Sequence, residues 1–178
     1  RTPVREAALR LEREGLVIVR PRRGMQVVPV STDDMAEIYQ LLTVLEPLAA
    51  ELAAKRNLSE SEIEPMERAT QEMEDALAEG DLVTWAEADD AFHALLVEAS
   101  GNRRLVEATE RYRAQVHRAR MTTLTMRPSP SSSTKDHRSL LQCLRNGDAE
   151  GAGEIHRAHR AAAGKLLVAL LAKHSLDN

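Results

Sequence analysis

Asp89 and His93 stand four residues apart, and His137 and His159 follow further along the chain. One carboxylate and three imidazoles make a ligand set suited to a divalent transition metal, Zn²⁺ first, with Ni²⁺, Mn²⁺ or Fe²⁺ as other occupants. Residues four apart on a helix sit one above the other on the same face, so Asp89 and His93 pair locally. Leu82, Trp85, Phe92 and Leu96 fall on that same stripe, which is the face a helix buries. His137 lies one turn before Leu140, Leu141 and Leu144, and His159 falls on a line with Ile155, Ala162, Leu166 and Leu170. Three helices therefore each aim metal-type ligands at a core. A buried carboxylate is costly unless it is paired or coordinated. Four protein ligands on a six-coordinate ion leave positions for water or a small carboxylate. Spacing alone leaves plainer readings open: a buried Asp-His ion pair, or inward histidines that only hydrogen-bond.

The remaining histidines fit less well. His156 lies about 100° from the His159 stripe on a helix of 3.6 residues per turn, which predicts exposure. His174 is close to the C-terminal end. Arg113, His117 and Arg120 share one side of a helix and form either an anion-binding group in a cavity or a solvated basic face.

These ligands need helices to hold them, and the punctuation of the chain supplies six. Helices are predicted over about 33–56, 60–79, 82–99, 102–124, 135–145 and 148–173. Ser31 or Thr32, Ser59, Asp81 and Asp148 are the caps; Gly80, Gly101 and Asn146-Gly147 are the stops. Pro128 to Ser133 reads as a loop. Short connections between helices make an antiparallel bundle. No run of about 18 apolar residues is present, so no membrane span is predicted. The single cysteine, Cys143, cannot form an internal disulfide, which points to a reducing cytoplasm.

The first 28 residues differ in kind. They carry seven Arg and three Glu, a net +4, so the other 150 residues carry −8 of the total −4. A basic end on an acidic body suggests that this end meets a polyanion. Thr2-Pro3 starts a helix that Gly15 ends. Leu16 to Val19 and Met25 to Val28 then flank Arg20-Pro21-Arg22-Arg23-Gly24, a hairpin with an arginine-rich tip. A helix followed by a basic hairpin is half of a winged helix-turn-helix, and 28 residues cannot bury a core alone.

The run RTPVREAALRLEREGLVIVRPRRGMQV resembles the end of the winged helix-turn-helix of GntR-family regulators. The remainder resembles their FCD sensor domain. The supporting pieces are Leu45-Glu46 with the alanines after it, Asp89-Asp90-Ala91-Phe92-His93, Ser100-Gly101-Asn102, Asp136-His137, Asn146-Gly147-Asp148 and His159. The resemblance implies an all-α fold, a six- to seven-helix bundle preceded by a recognition helix and a β-hairpin wing. It implies a partial DNA-binding domain at 1–28, a linker at 29–32 and a sensor domain at 33–178. It carries metal ligation onto Asp89, His93, His137 and His159, and DNA contact onto Arg1, Thr2, Arg5, Arg22, Arg23 and Gly24. A homodimer on operator DNA and a small carboxylate effector are implied partners, with no membrane. One departure matters. Family members carry an Arg shortly before the Leu-Glu, where this chain has Leu41-Leu42-Thr43, so Arg113, His117 and Arg120 are the substitutes for holding an effector. The chain also starts at the recognition helix, so an upstream part of the domain is expected and DNA binding by this segment alone is expected to be poor.

The expected function is thus ligand-responsive transcription regulation and not catalysis. Two alternatives are a metal-dependent enzyme in a helical bundle and a regulator that senses the metal itself. No general base outside the ligand set is evident for the enzyme, and it would leave the Arg-Thr-Pro-Val-Arg segment without a role.

Overall fold

The computed structural model describes residues 2–20 and 23–176. Helix α1 spans Thr2–Arg13, and strands β1 (Val17–Arg20) and β2 (Gly24–Val27) pair antiparallel with Val17 opposite Val27. Six helices follow: α2 Thr32–Lys55, α3 Glu60–Glu79, α4 Leu82–Ala99, α5 Arg103–Thr122, α6 Ser131–Asn146 and α7 Ala149–Leu176. A 3₁₀ turn at Leu124–Met126 joins α5 to α6. The helical ends follow local chemistry. Ser31 Oγ accepts from Asp34 N at the start of α2, and Ser59 with Glu62 forms a capping box on α3. Gly80 and Gly147 adopt the left-handed conformation that closes α3 and α6, which a side chain would strain.

Helix α6 begins four residues earlier than the Pro/Ser composition predicts. Pro130 O accepts from Thr134 N, and the serines occupy a first turn whose N–H groups have no helical partner in any case. The added turn brings Thr134 Oγ1 to the Trp85 indole N–H at 3.0 Å, tying α6 to α4.

Helix α7 differs more from its expected face. Its buried positions are Ala152, Gly153, His156, His159, Arg160, Gly164, Leu167 and Leu171, whereas Ala162 is exposed. Two faces of α7 are covered, one by α2 and one by α6, and the α2 face runs Gly153, His156, Arg160, Gly164, Leu167. Glycine lets the two helices approach closely: a Cβ on Gly164 would stand 2.6 Å from Tyr39 Cδ1. Gly164→Ala should therefore destabilise the protein. Overpacking of about 1–3 kcal/mol against a rigid ring outweighs the helix-propensity gain of about 1 kcal/mol. Urea denaturation of the variant checks this, and a more stable protein would contradict the packing described.

The main core lies between α2, α3, α4 and α6, with Met66, Met73, Phe92, Leu96 and Leu140 fully enclosed. The α1–hairpin unit has little core. Val17 is its buried apolar side chain among the described residues, while Val4, Leu9, Ile18, Met25 and Val27 are exposed. It meets the bundle at α5: Arg118 Nη1 donates to Val28 O at 2.5 Å, and Gln115 lies against Gly15.

Candidate metal centre and its cavities

Helix α4 presents Asp89 and His93 one turn apart, α6 presents His137 and α7 presents His159, all buried. One ligand atom from each lies within 4.8 Å of the others. Asp89 Oδ1 is 2.9 Å from His137 Nε2, Asp89 Oδ2 is 3.6 Å from His93 Nε2, and His93 Nε2 is 3.3 Å from His159 Nε2. Two imidazole nitrogens facing each other beside a carboxylate is a donor set for a cation. Burial, the largest influence, pushes the His137 pKa down to about 4, and it pushes His93 well below the ordinary range, so both are neutral near pH 7 with lone pairs to offer. These residues fit a four-ligand transition-metal site.

Charged groups that periodicity did not single out surround the ligands. Arg120 Nη1 reaches Asp89 Oδ2 at 2.6 Å. Burial by itself would raise the Asp89 pKa, but Arg120, His93 and His137 together outweigh it and hold the carboxyl well below its ordinary value. On the far side of His93, Glu46 Oε2 lies 3.0 Å from His93 Nδ1 and 3.0 Å from His156 Nε2, while Glu46 Oε1 accepts from Arg160 Nη2 at 2.6 Å. Arg160, His93 and His156 likewise overcome burial to keep Glu46 ionised. Glu46, His93 and His156 are a second trio close enough to share an ion. Arg160 already supplies the cation there, so the trio serves better to orient His93, whose Nδ1 faces Glu46 and whose Nε2 faces the ligand cluster. Asp136 plays the matching part for His159 Nδ1, at 3.3 Å.

His156 therefore corrects its expected exposure: its relative exposure is 1%. The off-stripe phase was right, but α2 covers that side of α7 as well. Glu46 carried a usable signal, since it lies in phase with Leu42, Ala49, Ala50 and Ala53 on a stripe that is otherwise apolar. Arg160 carried none, because its face of α7 is built of glycine, histidine and arginine.

The burial of neutral imidazoles has a pH consequence. Unfolded histidine titrates near 6.5, whereas folded His137 and His156 titrate near 4. Between those values the unfolded chain binds protons that the folded chain refuses. The metal-free protein should therefore be stable above about pH 6.5 and lose stability as pH falls towards 4, by up to roughly 3 kcal/mol for each histidine. Melting temperature against pH measures this, and a flat profile from pH 7 to 4.5 would contradict it.

Two small cavities flank the cluster and share Arg120 and Arg160 as a wall. The first is bounded by Leu42, Glu46, His93, Val97 and Arg113, and the second by Trp85, Asp89, Arg127, His159 and Leu170. The trio of possible effector residues divides. Arg113 lines the first cavity but is paired with Asp90 at 2.9 Å, Arg120 is buried against Asp89, and His117 lines neither cavity. Arg160 enters the first cavity beside Leu42, in the region where the first-helix Arg was expected. Of the residues expected to contact DNA, Arg5, Arg23 and Gly24 are exposed on α1 and the hairpin, and Thr2 opens α1. Arg1 and Arg22 lie outside the described residues. Among the described residues no helix is long and apolar enough to cross a membrane.

The FCD domain family matches residues 37–162. The HTH-type transcriptional regulator YdhC of Bacillus subtilis is 30% identical over 160 residues, 89% of this chain and 71% of that protein. The HTH-type transcriptional repressor RspR of Escherichia coli is 28% identical over 151 residues, 84% of this chain and 66% of that protein. The chain thus spans about two thirds of the length of these relatives. The E. coli McbR/YncC structure superimposes with a TM-score of 0.80 at 23% identity, covering 93% of this chain and 83% of that one. YdhC and RspR are HTH-type transcriptional regulators, and the McbR/YncC superposition shows the shared fold.

Proposed function

The chain belongs to the FCD-domain regulators of the GntR family, a class that regulates transcription and is not enzymatic; from that premise we propose that it binds one divalent metal ion and responds to a small carboxylate. The observation that carries this reading is the convergence of Asp89, His93, His137 and His159 beside a cavity lined by arginines. Three imidazoles and one carboxylate suit zinc best, with nickel, manganese or iron as possible occupants. Held there, the ion supplies positive charge and open coordination positions for a carboxylate oxygen. Asp89 and the three histidines fix those positions, Glu46 and Asp136 orient the histidines, and Arg120 keeps Asp89 ionised.

In this reading residues 1–28 read DNA, 29–32 link, and 33–178 sense. Arg5 on α1 and Arg23 with Gly24 on the hairpin meet bases or phosphates, as do Arg1, Thr2 and Arg22. A homodimer sets two such helices on successive major grooves of a pseudo-palindromic operator. Helix α5 connects the two functions. Arg120 and Val116 face the cavities, while Gln115 and Arg118 touch the α1–hairpin unit one turn away. A ligand that favours one placement of α5 biases how the DNA-reading unit is held.

A thermal-shift screen of small carboxylic acids, with and without EDTA, tests the proposal. A cognate acid at 100-fold excess over its Kd should raise Tm by about 5–10 °C, and EDTA should abolish the rise. A rise that EDTA leaves unchanged, or no rise with any acid, would overturn it.

A further inference from the structure

The charge count of the buried centre is not closed by the residues described so far. Asp89 is answered by Arg120 and Glu46 by Arg160, each at 2.6 Å, so those four groups cancel. Asp90 is taken by Arg113 at 2.9 Å, and Asp136 is half-exposed to water. Arg127, half-buried like Asp136, is left over without a carboxylate partner. It follows the 3₁₀ turn, and its guanidinium sits 4.3 Å from the Trp85 ring centroid, an attraction of the cation–π type. Its Nε is buried without a hydrogen-bond partner, and no ion pair joins it to a carboxylate among the described residues. Burial and the nearby Arg120 charge push its pKa down by more than Asp89 and Tyr39 raise it. Arg160 adds Nε and Nη1, two more buried donors without partners. Both arginines line the second cavity, which also exposes Asp89 and His159 of the ligand cluster.

A divalent ion in the cluster adds two positive charges to the one on Arg127. Imidazole ligands are neutral and offset none of it. A monocarboxylate at the ion would leave most of this charge in a poorly solvated site, where uncompensated charge is costly. The cavity is small and partly enclosed, so its occupant is short. Trp85, Leu166 and Leu170 wall it with apolar surface suited to a carbon chain. We propose that the effector is a short dicarboxylate: one carboxylate reaches the metal position and the other is held by Arg127 over Trp85 with the free donors of Arg160.

This inference rests on the carboxylate reading above, and the test separates the two. Metal-loaded protein, its metal content checked by elemental analysis, is titrated calorimetrically with succinate and glutarate and with butyrate and valerate, the monoacids of equal carbon number. The same is done for Arg127→Gln and Arg127→Lys. The charge-assisted hydrogen bonds to the second carboxylate predict that the better diacid binds the wild type at least roughly tenfold tighter than its matched monoacid. R127Q should narrow that ratio to within about twofold, and R127K should restore part of it. Equal binding of diacids and monoacids by the wild type, or an undiminished ratio in R127Q, overturns the dicarboxylate while leaving the carboxylate reading intact. Binding of no acid by protein that does hold its metal overturns both.

Discussion

Replacing His93 and His137 together with alanine should take the metal content from one ion per chain to none. Zinc held by four protein ligands is bound with about 10–16 kcal/mol in small structural sites, or roughly 3 kcal/mol for each ligand. Loss of two ligands then weakens binding by at least about 10⁴-fold, below what elemental analysis after gel filtration retains. Both side chains are buried, and His137 packs its ring 4.1 Å from that of Phe92, so the double variant also loses packing. His156→Ala provides the comparison. His156 is as buried as His137 and stacks on His159 with ring centroids 5.5 Å apart, but it offers no donor atom to the four-residue cluster and hydrogen-bonds Glu46 instead. Its removal should cost similar stability while weakening metal binding by no more than the roughly 10–100-fold typical of an outer partner. Retention of one ion by the double variant would mean that the cluster is a hydrogen-bonded core and not a ligand set.

Arg120→Met should lower the unfolding free energy of the metal-free protein by about 3–5 kcal/mol, the cost of stranding a buried carboxylate. Arg120 is 7% exposed and Asp89 2%, so water screens this pair little. The size of the loss should depend on the metal. An ion bound to Asp89 offers a replacement positive charge, so urea denaturation with metal present should show a clearly smaller penalty than with EDTA. Asp89→Asn combined with Arg120→Met should recover part of the loss, because neither charge then remains alone. A loss below about 1 kcal/mol without metal would show that Asp89 does not depend on this arginine.

Periodicity singled out Asp89, His93 and His137 because each interrupts a stripe of leucine, tryptophan or phenylalanine that the fold buries, whereas the stripe that pointed to His159 is only partly buried; local caps and glycines placed most helix ends to within a residue or two. Those signals are carried by neighbours on the same helix. The serine-rich start of α6 was hidden because its residues favour both loops and first helical turns. His156 was misplaced and Arg160 overlooked because α7 is covered on two faces, and the second is lined by residues that no apolar pattern marks.

What the amino-acid order determined by itself is therefore the set of helices, the inward direction of the four candidate ligands, and the basic character of the first segment. Only tertiary packing decided what surrounds those four side chains. Glu46 meets His156 across 110 positions and Arg160 across 114, and α5 delivers Arg120 to Asp89 from another helix. The reason is physical: a helix records in its own spacing which side it buries, but a buried charge is stabilised by a counter-charge that any segment can bring, and only the folded chain shows which one does.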